Sequence, residues 1–378
     1  MKDLESAATD AGAARPRRKP WVKLVQTAVS IAVAVLIFAL IIPKIADYRV
    51  VWQTMKDLTP LELGGLVLAT VFNLFTYYWQ MMAAMPGLST AKAAVNNQTG
   101  TTISNIVPAG GVIALGVVVE MFRSWGFSPT AIGLEISLTG IWNSFLKLGL
   151  PVIALAAVAA TGHADPALLA PAIIGLVILA GCILLFALAL WRKHFARSIG
   201  NGLGRGVSAV RKLFRKPPLT DWGERAVRFR HDAIDLVSRR WVPLTLTTVL
   251  SHFALYFILL LALRDVGVSN AEASWAEVLA VFSFGRLVTA IPLTPGGVGL
   301  VEVAYILGLT AVAKGHADVP YPELKAQITA AVLVFRTLTY GIQIPIGGFT
   351  YIIWRTKKSW LRPQRAEAAT PAGAASAG

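Results

Sequence analysis

Long apolar segments with few charged residues, separated by shorter polar segments, dominate the pattern of this chain. Six of them are long enough to be spans: Leu24–Ile42, Leu61–Met85, 130–160, 167–191, 241–263 and 326–354. About 20 consecutive apolar residues are needed for one helix to cross the hydrocarbon core of a bilayer. The pattern therefore predicts an all-α polytopic membrane protein with about six full spans.

Two further apolar segments, 89–125 and 274–313, are interrupted by proline and glycine. The breaks fall at Pro108, Gly110 and Gly111 in the first segment and at Pro295, Gly296, Gly297 and Gly299 in the second. Inside a membrane, backbone freed at such a break is tolerated only where protein or a water-filled cavity surrounds it. Each segment is expected to form two short helices. These helices either enter and leave the membrane on the same side as a re-entrant pair, or each cross it completely.

The order of the spans sets the direction in which the two broken segments enter. If both ends of 89–125 lie on the cytoplasmic side, both ends of 274–313 must lie on the other side for the last span to finish inside. Broken helices that enter from opposite faces are typical of inverted-topology repeats, whose substrate site lies between them near the midplane. We therefore predict an inverted repeat of this kind.

Composition and charge support the membrane assignment. The chain is 55% apolar and 15% charged, with a mean hydropathy of +0.62, which leaves too few polar residues to coat a soluble globule. Its net charge of +15 is concentrated at both ends and in residues 192–240, which hold thirteen Lys/Arg and four Asp/Glu. The positive-inside rule places these segments in the cytoplasm. Membrane crossings separate the basic patches, which argues against a nucleic-acid partner.

These patterns divide the chain into three parts. Residues 1–20 are expected to be a disordered cytoplasmic N-terminus, 21–355 a transmembrane domain, and 356–378 a disordered cytoplasmic tail. Residues 47–58 have helical apolar spacing and are expected to lie flat in the outer interface. The basic loop 192–240 is amphipathic, and the glycines between 200 and 206 are expected to loosen its first helix.

Charged residues inside the spans are the candidates for chemistry, because such charges usually face a cavity or a partner. Candidate cavity charges are Glu302, Arg336 and Arg286, with Glu135, Asn143, Lys147 and Tyr340 as further lining residues. Glu135, Asn143 and Lys147 belong to one polar helix face, since they recur at multiples of four residues. A buried structural network would need the same stripe, so both interpretations stay open.

Glu302 is expected two turns into the helix that follows Pro295, with either Arg286 or Arg336 as its partner. This pair would line a substrate cavity or only hold the broken segment in place. The exposed N–H groups of a helix that starts at a Pro-Gly break also attract anions. Two such helix starts directed inward predict a site for a phosphate.

Sequence signatures of enzymes are missing. The chain has no H-E-x-x-H, G-x-S-x-G or G-x-x-x-x-G-K-[ST] motif. Cys182 is its only cysteine, and its five histidines have no ligand spacing. We therefore expect no enzymatic activity, no cofactor and no metal.

At the two breaks, the sequence resembles the flippase-like transmembrane family that is shared with bacterial lysylphosphatidylglycerol synthases. The stretch Leu293–Glu302 looks like the family's Pro-Gly-Gly-x-Gly-x-x-Glu signature. The stretch Ser104–Gly111 and the later Trp125-Gly126-Phe127-Ser128 are similar to its Asn-x-x-x-Pro break and Trp-Gly-x-Ser turn. The resemblance covers roughly residues 20–355. It implies a lipid-handling membrane protein without the aminoacyl-transfer domain that the synthases append.

Three functions are compatible with these features of the sequence. The first is a translocase in the cell membrane that moves a lipid with an anionic phospholipid or glycolipid headgroup, or an isoprenoid-linked lipid, between leaflets. The second is a non-catalytic membrane partner of a lipid-modifying or glycosyl-transfer enzyme. The third is an ion-coupled transporter of a small anion. A homo-oligomer is compatible with each of them.

Overall fold

The structure is a computed structural model that describes residues 48–106, 110–161, 169–213, 221–289, 294–316, 319–357 and 360. The predicted first span Leu24–Ile42, both predicted disordered ends up to residue 20 and from 361, and Pro108 lie outside this part of the chain. The described residues form α1 Tyr48–Lys56, α2 Pro60–Ala84, α3 Thr90–Ile106, α4 Gly110–Ser124, α5 Pro129–Ala160, α6 Leu169–Trp191, α7 Lys193–Leu213, α8 Trp222–Asp265, α9 Trp275–Val288, α10 Leu300–Ala313, α11 Tyr321–Arg336 and α12 Gln343–Thr356.

The all-α membrane architecture is confirmed. Five helical segments of the described chain are long and apolar enough to cross a bilayer: Pro60–Ala84, Pro129–Ala160, Ile173–Trp191, Trp222–Asp265 and Tyr321–Thr356. They coincide with the five predicted spans that lie inside the described ranges. The segments predicted to be broken form two shorter helix pairs, α3 with α4 and α9 with α10.

Local signals in the sequence explain where several helices begin. Thr59 and Glu62 form a reciprocal capping box at the start of α2, and Ser274 and Glu277 form another at the start of α9. Ser128 caps α5 by accepting a hydrogen bond from the Ala131 N–H at 3.2 Å. Such caps satisfy N–H groups that have no partner within the first turn of a helix.

The basic loop differs from its predicted form. The stretch 221–240 and the following span are one 44-residue helix, α8, that runs through Pro243 without a loop. No glycine or turn lies at the predicted boundary, so both halves continue the same helix. Two glycines of α7, which were expected to loosen this helix, lie at its contact with α8. A Cβ at Gly200 would lie 2.5 Å from Ala226 Cβ, and one at Gly204 would lie 2.8 Å from Trp222 Cβ, so these glycines let α7 pack closely on α8.

Polar side chains join the helices inside the bundle. The Asn73 side-chain amide of α2 donates to the Ser251 carbonyl of α8 at 2.9 Å, and Gln80 donates to the Thr248 hydroxyl at 2.6 Å. Helices α9, α10 and α11 share the largest apolar cluster with α8. The amphipathic helix α1, predicted to lie in the interface, packs against α11. The C-terminal α12 packs along α3, which brings the last span beside the first broken segment.

Candidate functional site

The second Pro-Gly break has a backbone that only glycine adopts readily. Pro295–Gly297 is a single 3-10 turn, and Gly296, Gly297 and Gly299 have φ angles of +59°, +71° and +85°. A side chain at such a φ clashes with its own backbone. Since α10 starts only at Leu300, Glu302 lies in its first turn and not two turns into the helix as the sequence predicted.

Glu302 is bound on both of its carboxylate oxygens. Oε2 accepts a hydrogen bond from the Gly299 N–H at 2.7 Å, and Oε1 accepts one from Arg336 Nε at 2.7 Å. The side chains of Glu302 and Arg336 are only 3% and 13% exposed. A buried ion pair is tolerated when geometry and extra hydrogen bonds compensate for desolvation, as they do here. Of the two candidate partners, Arg336 is therefore the one that binds Glu302.

Arg336 and Tyr340 connect the two breaks. Arg336 Nη2 donates to the Gly296 carbonyl at 3.3 Å, and the Tyr340 hydroxyl donates to the Asn105 carbonyl at 2.9 Å. Asn105 lies near the end of α3, three residues before Pro108. A Cβ at Gly296 would lie 2.9 Å from the Asn105 side-chain oxygen. The end of α3 and the 3-10 turn are thus in contact, as expected for broken segments that meet in the protein interior.

A π-helical turn shapes the last span at this point. Thr337–Gly341 is a π-helix between α11 and α12, and the Ile342 N–H donates to the Thr337 carbonyl at 2.8 Å. Such turns insert one extra residue into an α-helix and often occur at functional sites. The turn places Thr339 and Tyr340 beside Arg336 on the side that faces the breaks.

A cavity of about 240 Å³ lies where these elements meet. Its lining comes from α2, α3, α8, α9 and the residue after it, the 3-10 turn, α10, α11, the π-turn and the start of α12. The bordering residues are Tyr77, Asn97, Thr101, Asn105, Leu255, Arg286, Thr289, Gly296, Val301, Tyr305, Phe335, Arg336, Thr339, Tyr340 and Gln343. Of the predicted cavity residues, Arg286, Arg336, Tyr340 and Gly296 border it directly. Glu302 does not border the cavity itself but is hydrogen-bonded to Arg336, which does.

One face of α3 contributes a polar wall that the sequence reasoning did not assign. Asn97, Thr101 and Asn105 recur every fourth residue and border the cavity. Other polar residues of α3 bind protein: the Thr102 hydroxyl donates to the Gln343 carbonyl at 2.8 Å. Tyr77 of α2 also borders the cavity. The three residues are spaced four apart, but polar residues on the other faces of α3 hide this spacing in the sequence.

The polar stripe of α5 does not border this cavity. The Thr139 hydroxyl donates to the Glu135 carbonyl at 2.6 Å, and the Asn143 amide donates to the Thr139 carbonyl at 2.7 Å. The Glu135 residue is 5% exposed. Lys147 lies further along the helix, close enough to Arg286 for their charges to repel each other. Glu135, Asn143 and Lys147 are therefore not among the residues that border this cavity, and their role as lining residues of a substrate path stays a prediction.

At the first break, Gly110 packs directly on the preceding helix. A Cβ there would clash with the carbonyl oxygens of Ile103 and Ser104, whereas one at Gly111 would meet nothing within 4 Å. Gly110 therefore lets the start of α4 approach the end of α3. Among the described residues, no group of three His, Cys, Asp or Glu side chains is placed to hold a metal ion.

Arg286 differs from Arg336 in having no acidic partner among the described residues. It borders the cavity, and its buried Nε atom has no hydrogen-bond acceptor in this part of the chain. The charged group whose interaction with Arg286 is resolved is Lys147, which carries the same sign of charge. The cavity therefore contains one neutralised arginine and one arginine without a counter-charge.

The comparison with known families agrees with this architecture. The family described as lysylphosphatidylglycerol synthase TM region matches residues 27–347, which include both breaks and every residue that borders the cavity. The chain belongs to this family. No curated protein matches the chain in the corresponding search. Membership in the lysylphosphatidylglycerol synthase TM region family makes the chain a multi-pass membrane protein of a lipid-related family, as the sequence motifs implied.

Proposed function

We propose that this protein is a lipid translocase that moves a polar-headed lipid between the two leaflets of the cell membrane. The observation that carries the proposal is the polar cavity at the contact of the two Pro-Gly breaks. Family membership supports a role in lipid handling. The headgroup would cross through the cavity, while its acyl or prenyl tails stay in the bilayer.

The cavity offers the headgroup polar and charged contacts, which it would lack in the hydrocarbon of the bilayer. A charged group at the bilayer centre costs from about 3 kcal/mol to over 10 kcal/mol, depending on how it is estimated. Asn97, Thr101 and Asn105 provide amide and hydroxyl groups along one wall. Arg286 provides a positive charge, and Arg336, whose charge Glu302 neutralises, provides further N–H groups. These groups replace water around the headgroup and so lower the barrier to crossing.

We further propose that both termini and the basic loop face the cytoplasm, and that the chain itself performs no group transfer. The positive-inside rule supports this orientation. The family match covers the transmembrane region only, which is compatible with a non-enzymatic role.

The test is lipid movement by the purified full chain in liposomes. A phospholipid with a fluorescent label on one short acyl chain is placed in both leaflets, and a membrane-impermeant reductant quenches the label that reaches the outer leaflet. We expect wild-type protein to raise the quenched fraction above one half, and Glu302→Gln to abolish this effect because it breaks the Arg336 contact. Glu120→Gln, on an exposed residue of α4, is the matched control.

Three results would contradict the proposal. A quenched fraction that is the same with wild-type protein as without protein would contradict the translocase function. A stably co-purifying enzyme would then favour the membrane-partner alternative. Uptake of a soluble anion without lipid movement would favour the transporter alternative. Normal lipid movement in both Glu302→Gln and Arg336→Gln would remove the site assignment.

A further inference from the structure

The charges around the cavity do not balance. Glu302 is the acidic residue at the site, and Arg336 already neutralises it through a 2.7 Å hydrogen bond. Arg286 borders the same cavity from α9 without an acidic partner among the described residues. The site thus has a surplus positive charge at its α9 side.

The groups around Arg286 do not offset this surplus. Lys147 of α5 is a second cation near Arg286, and His252 of α8 carries no negative charge. His252 is 2% exposed, and its Nε2 atom has no hydrogen-bond partner among the described residues. Tyr305, whose ring is also near Arg286, borders the cavity and adds no negative charge while its hydroxyl stays protonated. Within the described part of the chain, no ion pair explains why a guanidinium is held here.

A positive charge beside a cavity inside a membrane protein is costly when it has no counter-charge, and an anionic ligand in the cavity would supply that charge. A guanidinium is a planar fork of N–H donors that matches the oxygens of a phosphate or carboxylate. In a bilayer, the abundant oxyanion is the phosphate of a lipid headgroup. The cavity of about 240 Å³ has the volume of about eight liquid waters, enough for a phosphate with a small attached group.

We propose that Arg286 is the receptor for the phosphate group of the transported lipid, with Arg336 as the second cation of the site. This inference rests on the proposed function and deepens it, since it selects phosphate-bearing lipids with small heads over uncharged ones. Arg286 binds the ligand directly, whereas the Glu302–Arg336 pair holds the second break in place and presents the remaining N–H groups of Arg336.

The test measures binding, separately from lipid movement. Purified full chain in a neutral detergent is titrated with dihexanoyl phosphatidylglycerol, with inorganic phosphate, and with an uncharged alkyl glucoside, all at constant ionic strength. A ligand that binds only the folded state raises the unfolding temperature. We expect phosphatidylglycerol to raise it and the glucoside to leave it unchanged.

The variants identify the binding group. Arg286→Gln should weaken phosphatidylglycerol binding about tenfold or more, because a hydrogen bond to a charged group is lost. Arg286→Lys should retain part of the affinity. Arg239→Gln, an exposed arginine of α8, is the matched control and should bind like wild type. Without ligand, Arg286→Gln should unfold at the same temperature as wild type or higher, since it removes a charge that lacks a partner.

Several results of these titrations would contradict the role of Arg286 or the lipid as its ligand. Equal stabilisation by the glucoside, or unchanged phosphatidylglycerol binding in Arg286→Gln, would overturn the proposal. A ligand-free Arg286→Gln that unfolds earlier would also overturn it, because the guanidinium would then be structural. Stabilisation by inorganic phosphate but not by the lipid would keep Arg286 as a phosphate receptor and contradict the lipid as its source. Lipid movement without phosphate selectivity would leave the translocase function standing and remove only this inference.

Discussion

The guanidinium of Arg336 lies 4.5 Å from the centre of the Tyr340 ring, one turn further along the last span. Each residue also bonds to a different broken segment: Arg336 to the Gly296 carbonyl and Tyr340 to the Asn105 carbonyl. Cation–π contact keeps the two side chains together while they hold separate parts of the backbone. The last span is therefore the element that connects the two Pro-Gly breaks.

Removal of the Tyr340 hydroxyl should loosen this connection without disturbing the arginine. Tyr340→Phe keeps the ring beside Arg336 but loses the hydrogen bond to Asn105, which is worth about 1 kcal/mol. We expect a small drop in unfolding temperature and slower lipid movement. Tyr340→Ala should have a larger effect, since it also removes the ring. If both variants behave alike, the hydroxyl carries the whole contribution and the ring contact is unimportant.

The Glu302–Arg336 pair should show strong coupling in a double-mutant cycle. Either Glu302→Gln or Arg336→Gln leaves a buried charge without its partner, which costs about 3–5 kcal/mol in buried pairs. The double variant leaves no such charge and should be more stable than at least one single variant. Unfolding of the four proteins in detergent measures the coupling energy. The exposed pair Arg239–Asp235 is the control, and coupling there should stay below about 1 kcal/mol.

Gly296→Ala should disrupt the second break. The residue has a φ of +59°, where a Cβ costs about 1–2 kcal/mol, and the added methyl would clash with the Tyr340 ring. We expect reduced stability and loss of lipid movement. Gly111→Ala is the matched control, because a Cβ there meets nothing within 4 Å. Full activity in Gly296→Ala would show that the contact with Tyr340 is not needed.

Two adjacent glycines of α12 offer a test of the contact between the last span and α3. A Cβ at Gly347 would clash with the Thr102 hydroxyl and the Gln98 carbonyl, whereas one at Gly348 would meet nothing within 4 Å. Gly347→Ala should therefore destabilise the protein by about 1–3 kcal/mol, as overpacking does. Gly348→Ala should be neutral or stabilising, since alanine favours helix. Thermal unfolding of the two variants measures the difference, and equal stabilities would contradict this packing.

The orientation of the chain can be tested by cysteine labelling in a Cys182→Ser background. Ser198→Cys lies in the basic helix α7, and Ala271→Cys lies in the loop between α8 and α9, at the other end of the span; both positions are exposed. A membrane-impermeant maleimide on intact cells should label Ala271→Cys and spare Ser198→Cys. Labelling of Ser198→Cys without lysis would place the basic loop outside and reverse the proposed topology.

The sequence predicted the spans and the breaks because both depend on local patterns. Apolar run length decides where a helix can cross, and proline and glycine decide where it cannot continue. The partner of Glu302 was not predictable in this way. Arg286 and Arg336 are both in apolar helices, and only the fold brings one of them within 2.7 Å of the carboxylate.

The stripe on α5 shows a second limit of such patterns. Periodicity identified a polar face but not what that face bonds to, and Thr139 and Asn143 use carbonyls of their own helix. On α3 the opposite happened. Polar residues cover most of that helix, so no single face stood out, and the cavity wall of Asn97, Thr101 and Asn105 became visible only once neighbouring helices covered the rest.

Helix α8 is longer than any bilayer is thick. Its 44 residues span about 66 Å, against a hydrocarbon core of about 30 Å. The basic first half and the membrane half are therefore parts of one rod, in which Pro243 interrupts the ladder of hydrogen bonds. Because α8 packs on α7 at its basic end and on α2 in its membrane half, one continuous helix joins the basic surface region to the core of the bundle.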